Sequence, residues 1–264
     1  MSQVIVVTSG KGGVGKTTTT ANIGTSLAML GHKVALLDAD IGLRNLDVVM
    51  GLENRIVFDI VDVIEGKCTP AKALIRDKRT NSKLYLLPAA QTKDKDAISP
   101  EQMIKLCETL KEDFDYIIVD CPAGIEGGFK NAIAAANRAI VVTTPEVSAV
   151  RDADRIIGLL EANGIKNPML VLNRIRVDMV ASGGMMSLDD VVEILAIEVL
   201  GVVPDDESII VSTNLGEPAV LDSKSVAGNA FNHIARRITG EEVPFMDLSV
   251  KGGFISKIKN MFKG

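Results

Sequence analysis

The string Gly10-Lys11-Gly12-Gly13-Val14-Gly15-Lys16-Thr17 constrains this chain more than any other feature. It follows an apolar, β-branched run, Val4-Ile5-Val6-Val7, and opens an amphipathic stretch at 17–30. The spacing is that of a phosphate-binding loop, G-x-x-x-x-G-K-[ST], between a strand and a helix. Glycines let backbone N–H groups converge on phosphate oxygens with no Cβ in the way. The helix N-terminus adds partial positive charge. In such a loop Lys16 reaches the β- and γ-phosphates and the Thr17 hydroxyl binds Mg²⁺, and Thr18 is counted with the nucleotide-binding residues. A glycine-rich turn with an incidental lysine is the plainer alternative, and the flanking strand and helix count against it.

The rest of the chain repeats the alternation. Val34–Leu37, Leu84–Leu87, Tyr116–Val119, Ala139–Val142, Met169–Leu172 and Leu200–Val203 read as buried strands. Amphipathic stretches lie at about 100–111, 128–137, 148–162, 187–195 and 224–238. The pattern predicts a single α/β domain, a P-loop NTPase with a mainly parallel twisted sheet and helices on both faces. Sites in such folds lie at the carboxyl ends of strands. The polar segment 73–83 reads as a surface excursion, and 174–187, with Ser182-Gly183-Gly184, as a mobile loop. After Pro244 the core pattern stops. The expected division is an ATPase domain at 1–244, a linker at 245–253 containing Gly252-Gly253, and a short appendage at 254–264.

Composition narrows the partners. At 264 residues the chain can bury one large core. No apolar run reaches the ~18 residues of a spanning helix. No basic region precedes an apolar core at the N-terminus, so no signal peptide is expected. Cys68, Cys107 and Cys121 are odd in number and widely spaced, which argues against a disulfide framework and a CxxC metal site. With no Trp, two Tyr and a net charge of −5, a specific nucleic-acid partner is not expected.

Carboxylates follow two of the strands. Asp38-Ala39-Asp40 ends one and Asp120-Cys121-Pro122-Ala123-Gly124 another. Beside a phosphate loop such groups hold Mg²⁺ or its waters, or orient a nucleophilic water. Asp120 ends an apolar run, as a Walker B aspartate does. A helix cap or turn is the competing explanation for either one alone. Asn173-Arg174 and Pro204-Asp205 end two further strands. An Asn amide can pair with a ring nitrogen and the exocyclic amine of adenine, with backbone around Pro204 supplying the rest. Two ordinary strand-end turns account for the same residues equally well.

On a helical wheel, Phe254, Ile255, Ile258, Met261 and Phe262 fall within about 120° of arc. Ser256, Lys257, Lys259, Asn260 and Lys263 fill the remainder. This reads as an interfacial membrane helix, the alternative being a helix docked on the protein's own core. Residues 251–264 carry Lys251, Lys257, Lys259 and Lys263 and no acid, so the other 250 residues carry −9 against +4. Five buried apolar side chains give roughly 10 kcal/mol. Ordering about ten residues costs a similar amount. One tail is therefore marginal, and two on a dimer gain avidity of ~10²-fold or more.

Lys11 is an extra cation that a minimal loop does not need, and alone it reads as a surface charge. With its neighbours it resembles the deviant Walker A motif of the MinD/ParA group of ATPases. The likeness extends through Gly42-Leu43-Arg44-Asn45-Leu46-Asp47, Phe58-Asp59, Met185 to Asp190, Asn214 to Pro218 and the tail, and is similar to MinD-type septum-site-determining ATPases. The resemblance implies an ATP-dependent homodimer in which Lys11 crosses to the partner's phosphates. It implies that Asp40 positions the attacking water, while Asp38 and Asp120 serve the metal or phosphate network. Asn173 would contact adenine and Glu146 the ribose, and Arg44, Asn45 and Asp152 would face partner proteins. Those partners would be the division inhibitor MinC and the topological-specificity factor MinE. Cys121 would be a small buried residue. The location implied is cytoplasmic, peripheral on the inner face of the membrane or in the equivalent plastid compartment. The rivals are a DNA-partitioning ATPase of the same group and an iron–sulfur carrier related to the nitrogenase iron protein.

Overall fold

The computed structural model describes residues 2–81, 83–94, 97–125 and 128–246. The strands are β1 (Gln3–Thr8), β2 (Val34–Asp38), β3 (Ile75–Asp77), β4 (Leu84–Leu87), β5 (Tyr116–Asp120), β6 (Arg138–Thr143), β7 (Met169–Ile175) and β8 (Glu198–Pro204). The helices are α1 (Lys16–Met29), α2 (Leu46–Val49), α3 (Ile60–Ile64), α4 (Pro70–Ala73), α5 (Pro100–Lys111), α6 (Phe129–Ile133), α7 (Val147–Ala162), α8 (Val177–Ala181), α9 (Leu188–Leu195), α10 (Ser208–Asn214) and α11 (Val226–Ile238).

The strands form one sheet in the order β3-β4-β2-β5-β1-β6-β7-β8. Every neighbouring pair is parallel except β3 and β4. The chain leaves β1 toward one edge, returns through β5, and continues from β6 toward the other edge. That reversal opens a crevice beyond the carboxyl end of β1, where ligands of open α/β sheets bind. Register brings Asp120 opposite both Val7 and Asp38.

Alternation along β1 divides the core. Val4 and Val6 face the layer of α5, α7 and α9, with Met103, Leu106, Ile156, Leu160 and Val191. Ile5 and Val7 face the layer of α1 and α11, with Ile23, Leu27, Phe231 and Ile234. Helix α1 lies deep between sheet and α11, so most of its polar residues are buried, and two of them pair with the layer above. Asn22 Oδ1 accepts from Val220 N–H at 2.9 Å, and Ser26 Oγ accepts from Asn232 Nδ2 at 3.1 Å. A Cβ at Gly24 would stand 2.4 Å from Leu36 Cδ2, so the helix approaches β2 on bare backbone.

Several expectations need correction. Segment 73–83 is not wholly irregular: Ile75–Asp77 is the antiparallel edge strand β3, with Ile75 and Asp77 buried and Arg76 exposed. Segment 174–187 is more ordered than a mobile loop, for it contains α8 and ends in Ser187. Ser187 begins α9 with a reciprocal cap, taking Asp190 N–H on its Oγ at 3.1 Å and giving its own N–H to Asp190 Oδ2 at 2.8 Å. The helix expected at 128–137 is shorter, Phe129–Ile133. The appendage 254–264, and the linker beyond 246, lie outside the described residues.

Candidate functional site

Residues 10–17 connect β1 to α1 at the crevice, and their glycines serve different purposes. Gly13 and Gly15 have φ of 81° and 98°, the left-handed region that other residues enter at a cost. A Cβ on Gly13 would meet nothing within 4 Å. A ligand's oxygens can therefore approach the backbone N–H groups at Gly13 without meeting protein. At Gly10 a Cβ would stand 2.2 Å from the Asp152 carbonyl oxygen, so α7 packs directly on the start of the loop.

Lys16 opens α1 and is buried, at 8% exposure. Asp120, at the end of β5, accepts a hydrogen bond from Thr20 Oγ1 at 3.2 Å, and the nearby Thr17 hydroxyl also favours its ionised form. Thr17 and Thr20 are one turn apart, so both hydroxyls reach one carboxylate. That i,i+3 spacing was the available signal for Thr20. Asp38 accepts from Asp40 N–H at 3.0 Å and from Leu46 N–H at 3.2 Å. Burial pushes the Asp38 carboxyl upward, and the neighbouring Asp120 adds to it. Burial likewise raises Asp120, against the pull of Lys16 and the threonine hydroxyls. Asp40, partly exposed, lies two residues from Asp38 on the loop leaving β2.

The donor set fits a magnesium nucleotide. Among the described residues, no group of three or more His, Cys, Asp and Glu could hold a metal by itself. Mg²⁺ is customarily held by one or two protein oxygens plus phosphates and waters, which Thr17, Asp38 and Asp120 match.

Around the rim, Lys11 Nζ lies 3.9 Å from Glu146 Oε2, with side chains 47% and 60% exposed. Asp152 is on α7 with its backbone against Gly10. Asn173, at the end of β7, donates from Nδ2 to the Val14 carbonyl at 2.8 Å. Pro204 ends β8, and Asp205 N–H donates to the Ile175 carbonyl at 3.0 Å, joining the ends of β7 and β8. Arg44 (φ 41°) places Nε 3.0 Å from Asp47 Oδ2, an ion pair without hydrogen-bond geometry. Asp47 was not singled out in the sequence. It is fully buried, and burial raises its carboxyl despite Arg44. Asn45 immediately precedes α2. Cys121 is buried, as expected of a small core residue, and burial pushes its thiol up to about 12.

Comparisons with known proteins agree with this geometry. A family model described as ParA, NUBPL iron-transfer P-loop NTPase, matches residues 1–239. Septum site-determining protein MinD of Bacillus subtilis is 58% identical over 264 residues, covering 99% of this chain and 98% of that protein. Among solved structures, the MinC:MinD cell division protein complex of Aquifex aeolicus aligns at TM-score 0.87 and 52% identity, covering 93% of this chain and 99% of that one. The Mg-ADP complex of MinD from Pyrococcus horikoshii aligns at TM-score 0.81 and 30% identity, covering 90% and 96%. A phosphate loop with an extra lysine, paired strand-end carboxylates and full-length likeness converge: the chain belongs to the ParA family of P-loop NTPases, on its MinD branch.

Proposed function

We propose that this chain is an ATP-hydrolysing switch that helps place the division septum, bound to the membrane as an ATP dimer and released on hydrolysis. Septum-site determination is the role named for its full-length relatives, and a MinD relative has been solved with MinC. The observation that carries the switch is Lys11. Its side chain is half exposed at the rim, with its Nζ 3.9 Å from Glu146 Oε2. A cation so placed is available to a second copy's phosphates, where it would neutralise transition-state charge as an arginine finger does.

The other roles follow the carried-over motif. Lys16 and the loop N–H groups of Gly10, Gly12, Gly13, Val14 and Gly15 hold the phosphates. Thr17, Asp38 and Asp120 hold Mg²⁺ and its waters. Bound Mg²⁺-ATP supplies the anhydride and the charge neutralisation. Asp40 orients water, and Asn173, Pro204 and Asp205 face the base. Arg44, Asn45 and Asp152 meet MinC, and MinE acts on the same surface to stimulate turnover. Phe254, Ile255, Lys257, Ile258, Lys259, Met261, Phe262 and Lys263 contact anionic lipid.

Iron carriage, named in the family model's description, has less support. Cys107 and Cys121 are buried within one core layer, and burial pushes both thiols up to about 12. DNA partitioning would require a basic surface on a body whose net charge is −9 without residues 251–264.

Co-sedimentation with anionic vesicles tests the switch. Wild-type protein is expected in the pellet with ATP and in the supernatant with ADP. Lys11→Ala is expected to bind ATP, stay monomeric and remain in the supernatant with either nucleotide. ATP-dependent sedimentation of Lys11→Ala at the wild-type level would overturn the proposal.

A further inference from the structure

The phosphate loop is braced at its two ends by distant parts of the chain. Its start rests on the backbone of Asp152. Its end rests on Asn173, a side chain 6% exposed. A Cβ on Gly15 would stand 2.3 Å from Asn173 Nδ2, and that Nδ2 donates to the Val14 carbonyl at 2.8 Å across 159 residues of sequence. The amide is fixed from its other side as well, because Asn173 Oδ1 accepts from Arg174 N–H at 3.0 Å. A carbonyl can only accept and a backbone N–H can only donate, so these two partners set which way the amide faces. Arg174 itself adopts φ 58°, so the strand ends in a left-handed turn at this bond.

We propose that Asn173 is a positioning residue for the phosphate loop, so that binding of the phosphate chain depends on it whether or not a base is attached. This rests on reading residues 10–17 as the nucleotide's phosphate cradle. It is separate from the adenine contact carried over from the family likeness. Val14 lies between Gly13 and Gly15, both in the left-handed region, so the peptide units on either side of it have several conformations open to them. One of those conformations turns the N–H groups toward the open face at Gly13. The Asn173–Val14 bond selects it before any ligand arrives. Without the bond the carbonyl of Val14, a residue 4% exposed, loses its Asn173 donor and favours rotation toward water. Apparent affinity then falls by the fraction of time the loop is misplaced.

The test compares wild type and Asn173→Ala in binding Mg²⁺-ATP and Mg²⁺-tripolyphosphate, a phosphate chain without base or ribose. Amide hydrogen exchange of residues 12–16 is measured in parallel on the full-length, nucleotide-free proteins. Loss of the bond is expected to weaken tripolyphosphate about tenfold. ATP is expected to weaken at least as much. Exchange at residues 12–16 is expected to quicken while that in α11 does not change. Asn173→Asp keeps the acceptor for Arg174 N–H and loses the donor to Val14. Its nucleotide-free exchange decides the matter if the alanine variant does not fold. Weakened ATP binding with unchanged tripolyphosphate binding and unchanged loop exchange would overturn the inference and leave Asn173 as a base contact alone. Failure of wild type to bind either ligand would instead overturn the reading of the cradle. The exchange measurement needs no ligand and would still decide the brace.

Discussion

Gly10 and Gly13 are glycines for opposite reasons, and substitution separates them. Gly10 gives way to protein, since the Asp152 carbonyl occupies the space a Cβ would take. Gly13 faces open space, since nothing of the protein lies within 4 Å of its absent Cβ, and that space is where the proposed phosphate chain would approach. Its φ of 81° costs an alanine roughly 1–2 kcal/mol. Gly13→Ala is therefore expected to lower the melting temperature by several degrees at most, while Mg²⁺-ATP affinity by calorimetry falls tenfold or more. An alanine variant that binds ATP as wild type does would show that phosphates do not use this face. The nearby acidic residues differ in how visible they were. Asp38, Asp40 and Asp120 announce themselves at strand ends. Asp47 does not: within Leu46-Asp47-Val48 it reads as an exposed helix residue, and its burial beside Arg44 depends on a left-handed turn at Arg44 that no local propensity predicts.

Elements that carry a strong period were legible, and those held by long-range contacts were not. Strands β1, β2, β5, β6 and β7 are apolar runs sealed on both faces, so their sequences alone identify them. Strand β3 escaped because it is three residues long, at the edge, with Arg76 and Asp77 in it. It is held there partly by Arg79, which pairs with Asp77 and donates to the carbonyls of Met50 and Gly216. Those contacts close the space between the ends of α2 and α10, and a sequence window of any practical width misses them. The cap of α11 offers a quantitative test at this scale. Asp206 Oδ2 accepts from Ala227 N–H at 2.9 Å, and its Oδ1 from Ser208 N–H at 2.9 Å. Burial opposes ionisation of Asp206, and these hydrogen bonds outweigh it, holding the carboxyl below its usual range. A depressed native pKa means the stabilisation is complete above the unfolded-state pKa of about 3.9 and disappears as pH falls through the native value. The urea midpoint of wild type is thus expected to exceed that of Asp206→Asn at pH 7, with the gap closing below about pH 4. A gap that widened on acidification would reverse the assigned sign.

At the scale of the whole molecule, the topology was readable because alternating strands and helices leave few ways to build a parallel sheet. The crevice followed, since the loop after the first strand marks the reversal of strand order. Contacts such as Asn173 to Val14 were out of reach, for nothing in either residue's neighbourhood names the other. Charge also acts at this scale: −9 on residues 1–250 and +4 on 251–264 give body and tail opposite responses to an anionic bilayer. The Debye length shortens from about 10 Å at 0.1 M salt to about 3 Å at 1 M, so added salt is expected to reduce ATP-dependent vesicle sedimentation. Deleting 254–264 is expected to abolish sedimentation at every salt concentration and to leave ATP affinity within twofold of wild type. Salt-independent pelleting of the truncated protein would place the lipid contact on the body.

The packing of Asp152 on Gly10 sets how closely two surfaces of this molecule must communicate. The Asp152 backbone of α7 lies directly against the first glycine of the cradle, with only the Asp152 Cβ beside it and no long side chain there to absorb a shift. A rigid helix pressed from outside would move the loop's first peptide by nearly the same distance. A protein bound to the outer surface of α7 could therefore alter the spacing of the phosphate-binding N–H groups by direct displacement, without a relay of rotamer changes through the core.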